Sequence, residues 1–268
     1  MLIKAKEKDR SMLLDYCKSE SIFNIFIIGD IENFGFSSPY QDVYYQMDKD
    51  QIRGIGLRYH NNLIVYSKLL DMDFSLINNI LARHEIDLIS GKACVIDKLY
   101  PHLRGKTSRN DLVFCKHFYM DMLSPDIDNV IVANENHAMD IAISYGDIEE
   151  FKNLYSNDIK ERYKQIHTRI KSGEGKHFLM LDDLGIVSHG NIAAENTLSG
   201  MLGGIFTRFD LRNKGYGSAL TSALIRDLKS RDKQVALFYK GRVQERFFKG
   251  LGFKEIGTWS SLRREKVE

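Results

Sequence analysis

The stretch that most limits what this chain can fold into is a short turn, RNKGYGS, at residues 212–218. It follows the apolar run GGIFT and precedes the helical-looking run ALTSALIRDLK. In that run, Leu220, Leu224 and Leu228 recur at the spacing of one helix face. The pattern predicts a strand, a tight turn, and a helix that packs on a sheet while its N-terminus faces solvent or a ligand.

A turn of this kind can bind an anion. The first N–H groups of a helix have no partner within the helix, and the positive end of the helix dipole lies beside them. Gly215 and Gly217 let the backbone approach a phosphate without a Cβ in the way, and Arg212 and Lys214 add positive charge. Neither the Walker pattern nor the dinucleotide-binding fingerprint is present. An ordinary glycine-containing β-turn with solvated cations stays open as the alternative.

Length and charge restrict the class of protein. The 268 residues suffice for one large domain or two ordinary ones. The 38 basic and 36 acidic residues leave a net charge of +2, so no nucleic-acid partner is expected. No run of 18 apolar residues and no secretory signal pattern is present, so we expect a cytoplasmic protein without a membrane partner.

The three cysteines are scattered along the chain without a CxxC pair. They are Cys17, Cys94 and Cys115. This spacing predicts neither a disulfide framework nor a metal site, and we expect all three thiols to be buried or half-buried.

A polar break, DMLSPDIDN, divides the chain near its middle and predicts two domains, residues 1–124 and 125–268. The first half groups its strand-like segments, with a meander in QDVYYQMDKDQIRGIGLRYHNNLIVYSK, and intersperses helices. The second half has helical segments, then three strand-like segments, HFLMLDD, GIVSHGNIAA and LSGMLGGIFT, and then alternating helices and strands. The predicted class is α/β, of the α+β kind.

The run GGIFTRFDLRNKGYGSALTSALI resembles the acetyl-CoA-binding motif of the GNAT superfamily of N-acetyltransferases. That motif has Arg or Gln, two residues, Gly, one residue, and Gly or Ala, which here spans Arg212 to Gly217. Downstream, ALFYKGRVQERFFKGLGFKEIGTW resembles the next motif of the superfamily. The chain is similar to two-part bacterial GNAT proteins with a C-terminal GNAT domain. The resemblance implies a mixed, mostly antiparallel sheet flanked by helices, and the first half is a candidate degenerate copy of the same fold.

The resemblance also implies a co-substrate and a reaction. The co-substrate is acetyl-CoA, and the acetyl group passes directly from the thioester to a primary amine whose identity no motif marks. Backbone N–H groups near Phe206 stabilise the developing oxyanion. Glu195 is the leading candidate for the general base and His189 the second, with an ordered water as a further alternative. The residues implied to bind the co-substrate are Ile205, Phe206, Thr207, Arg212, Asn213, Lys214, Gly215, Tyr216, Gly217 and Ser218.

The chain departs from the family pattern at the general acid. Phe248 stands where a tyrosine is common, and Gly241 stands where an asparagine is common. Tyr239 and Tyr216 are the candidate substitutes. Two other functions therefore stay open: a weak or inactive acyl-CoA-binding sensor or interaction module, and a partner-binding protein that takes no coenzyme. The sequence does not fix the oligomeric state, and a homodimer stays open.

Overall fold

The structure is a computed structural model that describes residues 1–151 and 155–265. Its contacts divide the chain into two compact units. The first unit comprises residues 1–115, 238–240 and the chain from residue 255 onward, and the second comprises residues 116–237 and 241–254. Among the described residues, no helix has the length and apolar character needed to cross a membrane.

The elements of the first part of the chain are β1 (Leu2–Lys4), α1 (Arg10–Lys18), α2 (Ile25–Phe34), β2 (Gln41–Asp48), β3 (Gln51–Tyr59), β4 (Asn62–Tyr66), α3 (Asn78–Leu81), β5 (Leu88–Lys92), α4 (Ala93–Leu99) and β6 (Thr107–His117). Those of the second part are β7 (Ile131–Val132), α5 (Ala138–Asp147), α6 (Ile159–Ser172), β8 (Lys176–Asp182), β9 (Gly185–Glu195), β10 (Ser199–Thr207), α7 (Tyr216–Lys229), β11 (Gln234–Tyr239), α8 (Arg242–Gly250) and β12 (Phe253–Arg264).

In the first unit, the strands follow the order β1-β2-β3-β4-β5-β12-β6. The predicted meander is confirmed, because β2, β3 and β4 pair antiparallel. Positive φ angles at Lys49, Asp50 and His60 mark its two tight turns. Strand β5 runs parallel to β4 and antiparallel to residues 259–263 of β12. The core beneath these strands is aliphatic and includes Leu63, Ile77, Ile80, Ile89 and Leu262.

In the second unit, the strands follow the order β11-β10-β9-β8-β7. Strands β7 to β10 pair antiparallel, and β10 and β11 pair parallel. The leucine face of α7 packs on this sheet at glycines. A Cβ on Gly190 would lie 2.8 Å from Leu224, and a Cβ on Gly200 would lie 2.4 Å from Leu228. Helices α5 and α6 belong to a separate apolar cluster that includes Ile141, Ile166, Leu179 and Phe206.

The two faces of the second sheet follow from the alternation of side chains along a strand. The ring of Tyr145 in α5 contacts His189, whereas α7 contacts the next residue, Gly190. Because successive residues of a strand point to opposite faces, α5 and α7 cover opposite sides of the sheet. The predicted class, a mixed sheet flanked by helices, is confirmed.

The division at residues 124 and 125 stays a prediction of domains. In the structure, residues 259–263 pair with β5 and belong to the first unit.

The prediction for the thiols was wrong at Cys94, which is exposed, while Cys17 and Cys115 are buried. Helix α4 directs Val95, Ile96 and Leu99 into the core, which leaves Cys94 on its outer face.

Candidate active site

A β-bulge interrupts β10 in the segment LGGIF. Gly203 pairs with Asn191 and Phe206 pairs with His189, so Gly204 and Ile205 together face the single residue Gly190. Such a bulge leaves the extra residue out of the ladder of hydrogen bonds and bends the strand. Gly204 has a φ of +57°, in the left-handed region that glycine tolerates best. The bulge therefore lies directly before two of the predicted strand positions, Phe206 and Thr207.

Close neighbours also require glycine at residue 204. A Cβ built there would lie 2.5 Å from the hydroxyl of Tyr145 and 3.3 Å from Oδ1 of Asn191. Gly203 faces the same carboxamide, since its Cβ would lie 3.2 Å from Oδ1 of Asn191. Because Gly203 and Gly204 have no Cβ, the side chains of Tyr145 and Asn191 can lie directly against the backbone of the bulge.

Strand β10 pairs with β11 along only part of its length. The parallel register joins Ser199–Leu202 of β10 to Gln234–Leu237 of β11. Strand β10 continues to Thr207, and its residues 203–205 are half-buried. The backbone that follows Leu202 therefore carries both the bulge and the predicted co-substrate positions.

The loop after β10 ends at an uncapped helix N-terminus. Asn213 has a φ of +64° and Gly215 a φ of +90°, and α7 begins at Tyr216 with no side chain that caps it. The N–H of Ala219 donates to the carbonyl of Gly215 at 3.0 Å, which closes the first helical turn. A Cβ on Gly215 would meet no atom within 4 Å, so this position is open. The first N–H groups of α7 can thus receive an anion.

Contacts tie this loop to the end of β10. Nε of Arg212 donates to the carbonyl of Thr207 at 3.2 Å, and the guanidinium lies over the ring of Phe209 at 5.5 Å. A Cβ on Gly217 would lie 3.1 Å from Oγ1 of Thr207 and 3.4 Å from Cζ of Phe247 in α8. The structure therefore brings together the predicted strand and loop residues at one end of α7.

Glu195 lies at the other end of β10 from the bulge. It pairs with Gly200, four residues before Gly204, which corresponds to roughly 13 Å along a strand. Its carboxylate forms ion pairs with Arg231 and Lys233. The role of Glu195 as a base stays a prediction, and the structure does not bring it to the bulge.

His189 lies beside the bulge, and its hydrogen bonds define its tautomer. Its Nδ1 is 2.8 Å from the carbonyl of Gly204, which can only accept, so Nδ1 carries the proton. Burial lowers the pKa of His189 to about 4, so the ring is neutral at pH 7 and Nε2 is an acceptor. Nδ1 of His177, 2.9 Å away, therefore donates to that nitrogen.

His177 ends this chain of hydrogen bonds with a lone pair. Burial, followed by the field of His189, lowers the pKa of His177 to about 3, so it too is neutral. Because its Nδ1 donates, its Nε2 is an acceptor, and this atom is buried with no hydrogen-bond partner among the described residues. His177 thus donates to His189, and His189 donates to the carbonyl of Gly204, so the direction of both hydrogen bonds is fixed.

Two further polar groups complete what we call the bulge cluster, namely Tyr145, His177, His189 and Asn191 around Gly204. The side chains of Tyr145 and Asn191 are 4% and 5% exposed. Within residues 1–151 and 155–265, Oδ1 of Asn191 has no hydrogen-bond partner, and the Tyr145 hydroxyl interacts with the side chain of Tyr155 alone. Sequence reasoning identified only His189 of this cluster. The alternation of His189 and Asn191 on one strand face was the available signal for Asn191.

The aromatic side chains considered as general acids occupy different surroundings. Phe248 is buried in α8, with its ring centroid 5.0 Å from that of Phe247 and 5.8 Å from that of Phe253. Tyr239 belongs to the first unit, where its hydroxyl donates to Glu255 at 2.7 Å. Gly241 precedes α8 with a φ of +97°, a conformation that suits glycine.

Comparison with known proteins identifies the class of fold. Residues 184–263 match the family model of the FR47-like proteins, and no curated protein sequence matches the chain. A GCN5-related N-acetyltransferase from Sphaerobacter thermophilus is 13% identical, with a TM-score of 0.61, over 100% of this chain and 97% of its own. A GNAT acetyltransferase from Colwellia psychrerythraea is 10% identical, with a TM-score of 0.57, over 99% of this chain and 100% of its own.

The chain therefore has the fold of the GNAT acetyltransferases, and the superfamily resemblance predicted from its sequence is confirmed. A tandem GNAT protein from the clavulanic acid biosynthesis pathway is similar over 100% of this chain and 99% of its own, at 10% identity and a TM-score of 0.60. More particularly, residues 184–263 match the FR47-like family model, within a chain whose whole length is similar to a tandem GNAT protein.

Proposed function

We propose that this protein is an acetyl-CoA-dependent N-acetyltransferase that transfers the acetyl group directly to a primary amine. One observation carries the proposal: the β10 bulge and the uncapped start of α7 are joined by the contact of Arg212 with Thr207. The bulge suits a thioester carbonyl and the helix start suits a pyrophosphate. A single molecule with both groups, coenzyme A in its acetylated form, fits this arrangement.

The donor half of the site follows from the loop. The N–H groups of Tyr216, Gly217 and Ser218 receive the pyrophosphate, and the exposed side chains of Asn213 and Lys214 border it. The backbone of Ile205, Phe206 and Thr207 lies along the pantetheine. The similar tandem GNAT protein is described in its form without acetyl-CoA, which supports the same co-substrate here.

The reaction needs a neutral amine and a polarised thioester. The amine lone pair forms the C–N bond to the thioester carbon, the C–S bond breaks, and one amine proton ends on the coenzyme A sulfur. Backbone N–H groups at Phe206 stabilise the oxyanion, and one such donor contributes about 10²-fold or more to the rate. Residues 1–124 are proposed as a degenerate copy of the same fold. A cytoplasmic location and a homodimer remain parts of the proposal.

The substitution Gly217→Asp tests the donor assignment. It places a carboxylate where the pyrophosphate lies, and Gly217→Ala is the matched control because it adds the same Cβ near Thr207 and Phe247 without the charge. By calorimetry, we expect acetyl-CoA to bind the Asp variant about tenfold or more weakly than the Ala variant. Equal affinity of the two variants would remove the phosphate-loop assignment.

A second candidate function is an acyl-CoA-binding module without turnover. Phe248 favours it, because this side chain has no proton to give a departing thiolate, and it is buried among aromatic rings. Release of coenzyme A in the presence of a panel of amines separates the two functions. Tight acetyl-CoA binding without turnover on any amine establishes the module, and absence of acetyl-CoA binding establishes a partner-binding protein.

A further inference from the structure

The bulge cluster contains more hydrogen-bond acceptors than its neighbours satisfy. Oδ1 of Asn191 and Nε2 of His177 are buried and have no hydrogen-bond partner in the part of the chain that the structure describes. The buried hydroxyl of Tyr145 interacts with the side chain of Tyr155 alone, which leaves its oxygen open as an acceptor. Buried polar groups are almost always paired in folded proteins, because an unpaired group loses its bond to water and gains nothing. Two such atoms and the open oxygen of Tyr145 around one bulge indicate that a further molecule completes the cluster.

Two of these atoms converge on one point. The position of a Cβ on Gly204 is 2.5 Å from the Tyr145 hydroxyl and 3.3 Å from Oδ1 of Asn191. Gly203 and Gly204 are half-buried, whereas Tyr145 and Asn191 are buried. The polar groups thus lie directly against a backbone that solvent reaches, at two residues where only glycine lets them approach so closely.

The chemistry of the cluster favours a neutral hydrogen-bond donor. Its members are two neutral imidazoles, a carboxamide and a phenol, and burial raises the pKa of Tyr145 well above its usual value. The charge whose field acts on the cluster is that of Arg169 in α6, which acts on Tyr145, Tyr155 and His177. The positive charge of Arg169 disfavours a bound ammonium ion, which carries the same charge. A neutral amine keeps two N–H donors and one lone pair.

We propose that Asn191 and Tyr145 bind the acceptor amine at the bulge, with Oδ1 of Asn191 and the Tyr145 hydroxyl each accepting one N–H hydrogen. The lone pair of the amine is then left for the thioester carbon. His189 is a positioning residue, since its Nδ1 holds the carbonyl of Gly204. This inference rests on the proposed function, because the bulge amides must hold the thioester for the amine to be placed productively.

A binding measurement tests the site without turnover. Propylamine is titrated into the full-length protein at about pH 10, where about a quarter of an alkylamine resembling the lysine side chain is neutral. We expect saturable shifts of the ¹⁵N-labelled side-chain amide of Asn191 and of the ¹³Cζ signal of Tyr145. The same shifts are expected in Gly217→Asp, whose defect concerns acetyl-CoA. Unchanged signals of both side chains overturn the inference, whatever the affinity for acetyl-CoA.

Variants separate binding from structure. Tyr145→Phe keeps the buried ring and Asn191→Leu keeps a side chain of similar size, so the thermal midpoint should fall little. The affinity for propylamine, measured from the shifts at the remaining partner, should weaken at least tenfold. Asn191→Asp keeps acceptor oxygens and should retain binding. Tyr163→Phe in α6 makes the same chemical change away from the bulge and is the control.

Kinetics gives the second readout for the amine that the wild-type protein acetylates fastest. Tyr145→Phe and Asn191→Leu should raise its KM about tenfold or more and leave acetyl-CoA affinity unchanged. An unchanged KM overturns the inference. If no amine is acetylated, the proposed function fails, and the propylamine titration alone decides whether the cluster binds an amine.

Discussion

Replacement of Gly204 by alanine tests the geometry of the bulge on which the acceptor site depends. At a φ of +57°, a residue with a Cβ costs about 1–2 kcal/mol relative to glycine. The added Cβ also lies 2.5 Å from the Tyr145 hydroxyl, and overpacking of this kind costs about 1–3 kcal/mol. We therefore expect Gly204→Ala to lower the free energy of unfolding by about 2–5 kcal/mol.

Two comparison variants separate the backbone effect from the contact. Gly215→Ala has a φ of +90° and open space around its Cβ, so it should lose only about 1–2 kcal/mol. Adding Tyr145→Phe to Gly204→Ala removes the hydroxyl and leaves Cζ, at 3.3 Å, as the nearest atom of that ring. This double variant should recover the about 1–3 kcal/mol of unfolding free energy that overpacking costs Gly204→Ala.

Urea unfolding followed by circular dichroism measures all these variants. The reasoning is refuted if Gly204→Ala is no less stable than Gly215→Ala. It is also refuted if Tyr145→Phe restores nothing in the Gly204→Ala background, since the hydroxyl would then not lie against the bulge.

The other predictions concern the candidate base and the buried imidazoles. If Glu195 is the base, Glu195→Gln should lower turnover with little change in acetyl-CoA affinity. The control Arg231→Gln removes one ion-pair partner but keeps the carboxylate, so it should not lower turnover. If Glu195→Gln turns over as fast as the wild-type protein, Glu195 is not the base. Burial keeps the pKa of His189 at about 4 and that of His177 at about 3, below the value of about 6.5 in an unfolded chain. The unfolded state therefore binds more protons, and stability should fall as the pH decreases from about 6.5 through about 4. Denaturant titrations at several pH values measure this slope, and His189→Gln should flatten it; an identical slope in that variant contradicts the buried neutral tautomer.

The backbone geometry of the proposed donor half of the site could be predicted from the sequence because its determinants are local. Gly215 needs a positive φ, Gly217 permits the approach of Thr207 and Phe247, and the leucines of α7 fix the packing of the helix. All of these follow from residue types within a short stretch of chain, where glycine and helical periodicity are direct physical signals. The strand, turn and helix order around Arg212 was predicted for the same reason.

The rest of the site could not be predicted, because its contacts are made across the fold. Tyr145 comes from α5, His177 from β8 and Asn191 from β9, and they meet only where β10 bulges at Gly204. A bulge shifts the register by one residue, and no periodic pattern marks that shift in the segment LGGIF. The pairing of residues 259–263 with β5 is equally non-local, since the partner strand lies far away in sequence.

This difference has a consequence for how the proposed enzyme can change its acceptor. The proposed donor loop is one continuous segment that contacts β10 through Arg212 and α8 through Gly217, so its described contacts do not involve α5. Of the proposed acceptor groups, Tyr145 on α5 is held by aromatic packing, with its ring 5.2 Å from His189 and 6.2 Å from Phe206. Because these rings fix where the Tyr145 hydroxyl lies, repacking α5 would move the amine-binding group relative to the bulge amides. Acceptor specificity is therefore expected to respond to substitutions in α5 while acetyl-CoA affinity stays constant.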